Sequence, residues 1–217
     1  MPPDGPLIAF DTSAAHCAVA LCDGGAVIAH RLEPMEKGQA ERLFPLLEEI
    51  LRDAGLGWRD LGQIAVGIGP GNFTGVRIAV SAARGLALSL GIPARGITGF
   101  EALAYGQPRP CLASIDARGG KTYLQRLDQS ENYPPIVADL QELPTELATP
   151  GLTILGHEAA YLADNLGGQA ALPHHPLAAA IALAAAAKQD TPKAPAPLYL
   201  RPADAAPARD SGPPILP

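Results

Sequence analysis

Two acidic turns and one glycine-rich loop hold the residues of this chain that could do chemistry. Asp11-Thr12-Ser13 closes the apolar run Leu7-Ile8-Ala9-Phe10, and Asp116-Ala117-Arg118 closes the run from Cys111 to Ile115. Two carboxylates presented in this way can flank a nucleotide and hold the metal bound to its phosphates. Either can equally cap its own turn, as aspartate does routinely. The loop is Gly67-Ile68-Gly69-Pro70-Gly71-Asn72-Phe73-Thr74-Gly75, and glycine ahead of a helix exposes amide donors to an anion. Its spacing fits neither phosphate-binding fingerprint. Asn72 stands where a dinucleotide loop needs glycine, and the run holds no Gly-Lys-Ser/Thr. The segment reads as a loop that fixes the helix behind it.

Other reactive patterns are missing. His16, His30, His157, His174 and His175 are scattered, without the pair three or four residues apart that a helical metal site uses. No Gly-x-Ser-x-Gly elbow offers a serine nucleophile. Cys17, Cys22 and Cys111 are odd in number and lack CxxC spacing, which suits buried reduced thiols better than a disulfide framework. With 22 acidic against 16 basic residues and no cluster of Lys or Arg, the formal charge of -6 argues against direct, tight nucleic-acid binding. The first residues carry neither the basic region nor the apolar stretch of a secretory signal, and the apolar helix candidate from Leu177 to Ala187 falls short of the roughly 18 residues a membrane span needs. A cytoplasmic protein without a membrane anchor is expected. Charged residues make up 18% of the chain, below the roughly 25% usual in globular domains, so part of the surface is paved with small residues or covered by another protein.

The elements that would position these residues follow from periodicity. Leu7 to Phe10, Ala18 to Leu21 and Ala26 to Ala29 read as three strands, the last two joined by a tight turn at Asp23-Gly24-Gly25. From Gln39 to Ala54 the apolar residues Leu43, Leu46, Leu47, Ile50 and Leu51 fall on one helical face, with Gly55 as the stop. Pro45 lies inside that pattern, so the helix starts near it or bends there. A strand from Ile64 to Ile68 feeds the glycine loop. Thr74 is then a candidate N-cap for a helix to about Leu90, in which Gly75, Ala79, Ala83 and Ala87 leave one side without bulk. Another helix, or the chain's own sheet, could approach that side closely. After a Gly- and Pro-containing linker at Ala104 to Pro110, the strand Cys111 to Ile115, its acidic turn and the returning strand Thr122 to Leu127 repeat the opening design. Thr153 to Leu155 and a helical segment from Leu177 to Lys188 follow, and the sequence beyond Arg201 reads as a disordered tail.

Five segments together resemble the bacterial TsaB family, also called YeaZ. They are Ile8-Ala9-Phe10-Asp11-Thr12-Ser13, Glu41-Arg42-Leu43-Phe44-Pro45, the run from Gly69 to Arg77, Ile115-Asp116-Ala117-Arg118, and Leu198-Tyr199-Leu200-Arg201. The similarity runs from about Leu7 to Arg201, and the Gly-Pro-Gly-x-Phe-Thr-Gly-x-Arg run is its most specific part. The resemblance implies an α/β fold of the actin/Hsp70/sugar-kinase-like (ASKHA) type, two-lobed, with a duplicated ribonuclease H-like motif. The first lobe would span 1–105 and a shorter second lobe 106–201, its C-terminal helix packing back on the first, ahead of the tail at 202–217. It implies a non-catalytic role, binding and supporting TsaD, a related metal-dependent transferase that modifies the tRNA adenosine beside the anticodon with threonylcarbamoyl. The ATPase TsaE would join the larger assembly. No cofactor is expected on this chain alone, with ATP and magnesium entering only in the complex.

In that family two first-lobe helices meet TsaD. Carried onto this chain, the partner-binding positions are Gln39, Arg42, Leu43, Leu46, Leu47 and Ile50 on the first helix. On the second they are Thr74, Gly75, Arg77, Ile78, Ala79, Ser81, Ala82, Ala83 and Arg84. The small-residue face would let helices come close while Arg42, Arg77 and Arg84 supply polar contacts at the rim. The same helices would pair as a homodimer when the partner is absent. Asp11, Thr12, Ser13 and Asp116 remain candidates for a nucleotide cleft. The chain departs from the family at Gln39-Ala40, where His before Ser or Thr is common, and at Asn72, where Ser is common. The alternative is an enzyme in its own right, an ATP-dependent phosphotransferase or M22-type peptidase, resting on fold analogy and on Asp11 with Asp116.

Overall fold

The structure, a computed structural model, describes residues 5–201; the expected disorder of 202–217 concerns residues outside that range. Strands β1 (Leu7–Asp11), β2 (His16–Asp23) and β3 (Ala26–Pro34) form an antiparallel meander. Helix α1 (Gln39–Asp53) leads to β4 (Gln63–Gly67), which returns parallel to β1, and α2 (Phe73–Leu90) leads to β5 (Ala94–Ile97), parallel to β4. The sheet order is β3-β2-β1-β4-β5. Helix α3 (Gly99–Leu103) opens the passage to β6 (Cys111–Asp116), β7 (Lys121–Leu127), β8 (Ile136–Asp139), β9 (Thr153–Gly156), α4 (Ala159–Leu166), β10 (Gln169–Ala171) and α5 (Leu177–Ala187). The second sheet runs β10-β9-β6-β7-β8, with β6 antiparallel to β7 and parallel to β9. Read from its other edge it is the first sheet again, so the repeated strand, acidic turn and hairpin belong to a duplicated lobe.

β1 is buried along its whole length, as a central strand covered on both faces must be. On one face Ile8 and Phe10 join Leu43, Leu46, Leu47 and Ile50 of α1 and Ala79 and Ala83 of α2. On the other, Leu7 and Ala9 meet Ile181, Ala182 and Ala185 of α5. Helix α5, in sequence the last element of the second lobe, therefore completes the core of the first. Helix α3 does the converse, its Phe100 packing with Cys111, Ala113 and Leu155 of the second sheet. The alanine-rich composition of α5 allows its backbone to lie close to β1 and β2, where Ala18 and Ala20 face Ala178 and Ala179. From Lys188 the chain runs back without regular structure, crossing Arg95 and Ile68 before it reaches Tyr199 and Arg201.

Several expectations shift. Helix α1 runs through Pro45 without starting there, and the helix read from Thr74 begins at Phe73 with Asn72 as its N-cap. β5, α3, β8, α4 and β10 are short elements whose three to eight residues carry too little periodicity to read. The second lobe has a single turn at Thr145–Leu147 where the first has the fifteen residues of α1. By length and composition α2 could cross a membrane, but it lies on β4 with Val76, Ala79, Val80 and Ala83 buried and charged Arg77 and Arg84 on its outer side. All three cysteines are free and buried. Burial pushes the thiols of Cys17 and Cys22 up to about 11, and burial likewise raises that of Cys111.

Candidate functional site at the strand–helix junction and the outer helices

Asp11, Thr12 and Ser13 come together with the glycine loop at the end of β1, and each has a structural partner. Oδ1 of Asp11 accepts hydrogen bonds from the Ser13 amide and hydroxyl, both at 2.8 Å. It also pairs with Nε2 of His16 at 2.8 Å. The Thr12 hydroxyl, fully buried, donates to the Gly75 carbonyl at 2.7 Å. The Asn72 amide donates to the Ser13 carbonyl at 2.6 Å. A methyl group built on Gly75 would lie 1.9 Å from the Thr12 carbonyl oxygen, one on Gly71 2.4 Å from that of Ser13, and one on Gly67 1.8 Å from Oδ2 of Asp11. The glycines let the start of α2 press directly against the end of β1. Space that a phosphate would need is filled by backbone, and Oδ1 of Asn72 takes the free amide of Gly75 at 2.9 Å. Serine caps a helix equally well, which accounts physically for Asn72 as a departure from the family pattern.

This geometry is no nucleophilic triad. Ser13 and His16 both address the same carboxylate oxygen, whereas an activated serine must face the imidazole that takes its proton. In the second lobe Asp116 holds the equivalent position, its Oδ1 accepting from the Arg118 amide at 2.7 Å, but it is exposed and His157 stands 3.8 Å away. Gly120-Lys121-Thr122, a triplet that a phosphate loop would place at a helix start, instead opens strand β7. The Thr122 hydroxyl bonds Ser114 there at 2.7 Å. Among the described residues no three of His, Cys, Asp and Glu cluster as metal ligands. In the sequence His16 is one of several scattered histidines, and its five-residue separation from Asp11 across a strand turn is the signal that links the two.

The helix positions carried over from the family divide sharply. Leu43, Leu46, Leu47 and Ile50 are buried, as are Gly75, Ala79 and Ala83. These seven belong to the core of their own lobe, so the expected close-approach face is a correction: Gly75 is pressed on the Thr12 carbonyl, and Ala79 and Ala83 pack against the lobe's own sheet. Thr74, Arg77, Ser81 and Arg84 are exposed, and Gln39, Arg42, Ile78 and Ala82 are half-buried. Gln39 donates from Nε2 to the Met35 carbonyl at 3.1 Å, tying the helix start to the end of β3. Arg42 is no free rim residue. Its guanidinium is gripped by Glu33 and Glu49 at 2.7 to 2.8 Å, and Arg31 extends the network to Glu49 and Asp53. The bonds from Arg42 hold the carboxyls of both Glu33 and Glu49 below the usual range. On α2, Arg77 stacks 3.7 Å over Phe73 and donates from Nε to the Tyr199 hydroxyl at 2.8 Å. That joins the glycine-loop motif to the Leu-Tyr-Leu-Arg motif 122 residues later. Two segments quoted separately in the sequence are one cluster in space.

Comparison with known proteins places this geometry. The family model described as TsaD, tRNA N6-adenosine threonylcarbamoyltransferase, matches residues 33–142. The tRNA threonylcarbamoyladenosine biosynthesis protein TsaB of Escherichia coli is 37% identical over 131 residues, covering 58% of this chain and 56% of that protein. The chain thus matches little more than half the length of that relative. The Bacillus subtilis protein of the same name is 34% identical over 165 residues, covering 70% of this chain and 71% of its own. Among solved structures, YeaZ from Pseudomonas aeruginosa superposes with a TM-score of 0.68 at 27% identity, covering 90% of this chain and 100% of that one.

Proposed function

Because the chain belongs to the TsaB (YeaZ) family, with its two-lobed actin/Hsp70/sugar-kinase-like fold, we propose that it serves tRNA threonylcarbamoyladenosine formation as a non-catalytic subunit that binds and supports a TsaD protein in the cytoplasm. The observation that carries this reading is the sealed junction: the residues of the first lobe with chemical potential are spent on one another. Asp11 holds Ser13 and His16, Thr12 holds Gly75, and the glycines bring backbone against backbone. Both long helices of the first lobe leave an outer face exposed. These faces include Phe44 on α1 and the row Arg77, Ser81, Arg84 and Leu88 on α2. In this reading the partner rests on those outer rows and not on the small-residue face, which the lobe uses itself. TsaE belongs to the larger assembly in this reading, and ATP with magnesium has a place only within that complex.

Depletion of the protein is expected to lower threonylcarbamoyladenosine in tRNA, as read by mass spectrometry of tRNA hydrolysates, and re-expression of the chain to restore it. The purified chain is expected to retain a TsaD protein from the same organism on an affinity column. An unchanged nucleoside level on depletion would sink the reading. Hydrolysis of peptide or ATP by the chain alone would replace it with an enzymatic one.

A further inference from the structure

Beyond α5 the chain takes a third path between the lobes. It passes from the first sheet to the second between Ile97 and Cys111 and returns between Ala171 and Leu177. The strap of residues 188–201 then starts on the first lobe and ends on the second. Its root is held by charge. Nζ of Lys188 lies 2.6 Å from Oε1 of Glu101 on α3. Asp190 receives both ends of the Arg95 fork, Nη1 on its Oδ1 at 2.7 Å and Nη2 on its main-chain carbonyl. Arg95 is 6% exposed, and its Nε has no hydrogen-bond partner among the described residues. A buried guanidinium is tolerated when it is paired. Here the carboxylate comes from the strap, so the first lobe carries a buried charge that is neutralised when the strap is seated.

The tip is held by shape. Pro195 is buried over Gly96, and the Leu198 amide donates to the Ile68 carbonyl at 2.8 Å. In extended chain successive side chains point to opposite sides, and Leu-Tyr-Leu uses this to face two lobes at once. Tyr199 packs on Phe73 of α2 with ring centroids 4.9 Å apart, whereas Leu198 and Leu200 join the second-lobe core around Ala113 and Leu155. Nη1 of Arg201 then donates to the Ala117 carbonyl, in the turn after β6, at 2.7 Å. Three residues of extended chain, about 10 Å, thus join the end of β4 to the end of β6. We propose that residues 188–201 are an interlobe clasp, with Arg95 as its anchor and Leu-Tyr-Leu-Arg as its latch, that holds the two lobes at one angle. With the latch released, the second lobe swings on the passages at 97–111 and 171–177. Lobes of one chain move relative to each other by default unless an apolar interface restrains them, and the latch adds such an interface at its two leucines. A segment that merely filled the second-lobe core would have no use for a tyrosine turned to the first.

The clasp is independent of any association with a TsaD protein, so the full chain is tested by itself. Spin labels on Leu88→Cys of α2 and Asp164→Cys of α4 report the distance between the lobes by double electron–electron resonance. Both positions are exposed and the three native thiols are buried, which confines labelling to the introduced sites. With the latch intact, a single narrow distance distribution is expected. Leu198→Asp together with Leu200→Asp is expected to widen it about twofold and to add longer distances, as for lobes without an apolar restraint. Tyr199→Ala together with Arg201→Ala, which leaves the two leucines in place, is expected to widen it less. A broad distribution in the chain with an intact latch overturns the clasp, and so does an unchanged width in both pairs of substitutions. Circular dichroism checks that each pair is folded. If the aspartate pair is not, the alanine pair decides alone, and an unchanged width there overturns the proposal.

Discussion

The two lobes share one strand order and differ in what is built on it. At the end of β1 the loop before α2 is pinned through the Asn72 amide to the Ser13 carbonyl, and at the end of β6 the loop before α4 is pinned through the His157 amide to the Ser114 carbonyl at 2.9 Å. Both use glycine at the tightest point. Around this common joint the first lobe adds an eighteen-residue α2, a fifteen-residue α1 and a buried Asp11 bonded to Ser13 and His16. The second adds the eight residues of α4, one helical turn and an exposed Asp116. Strand pairing sets the architecture and is satisfied equally in both lobes. Helical surface and buried polar bonds are what specialise one lobe, and here the specialised lobe offers a broad outer face instead of an open cleft.

The largest test of the common joint is a single methyl group. Gly75→Ala sets a methyl 1.9 Å from the Thr12 carbonyl, and Gly156→Ala sets one 2.1 Å from the Ser114 carbonyl, the latter also at φ +94. Each is expected to cost about 3 kcal/mol in urea unfolding, since backbone on both sides must shift. A loss in one lobe only would mean that the two joints are not equivalent. The next test exposes the difference between lobes. Asp11→Ala strands the Ser13 amide and His16 in a buried setting and costs about 2 to 3 kcal/mol, whereas Asp116→Ala removes one exposed turn bond and costs about 0.5 kcal/mol. Similar costs at the two positions would erase the asymmetry.

Much of the first lobe was legible because its signals are long. The apolar face of α1 and the Asp-Gly-Gly turn before β3 each repeat a pattern over many residues. The second lobe was readable mainly at β6 and β7, where strand and acidic turn repeat the first. Its helix α4 begins at Glu158 in a left-handed conformation without a side-chain cap, so no N-cap residue announces it. Which face of α2 is internal was not legible, because small residues serve sheet packing and helix pairing alike. Burial alone decides between them, and it turns Ala79 and Ala83 inward. The Arg42 network stayed hidden for another reason: Glu33 lies nine residues upstream on a strand, where no local periodicity links it to the helix.

That network gives the first lobe a pH response of its own. Arg42 lowers the carboxyls of Glu33 and Glu49, and Arg95 lowers that of Asp190. A carboxyl depressed in the folded state binds its proton more weakly there than when unfolded. Its stabilisation is therefore complete above the ordinary carboxylate range of about 4 to 4.5 and is lost as pH falls below it. Acid unfolding followed by circular dichroism should begin in this window. Arg42→Met should flatten the pH dependence by lowering the melting temperature at pH 8 towards its acid value, by a small amount because the groups are largely solvated. A wild-type acid limb identical to that of Arg42→Met would remove the network from the comparison.

The smallest effects separate the two helix starts. Asn72 caps α2 through a bond to the Gly75 amide, so Asn72→Ala is expected to cost about 1 kcal/mol and Asn72→Ser almost nothing. Glu158 caps α4 with no side-chain bond and at φ +52, a left-handed conformation that glycine adopts without the penalty a side chain incurs. Glu158→Gly should therefore raise stability by about 0.5 to 1 kcal/mol, measured as an upward shift of the urea midpoint at constant slope. A loss on Glu158→Gly would show that its side chain holds something at the second joint, and the lobes would then be more alike than their hydrogen bonds indicate.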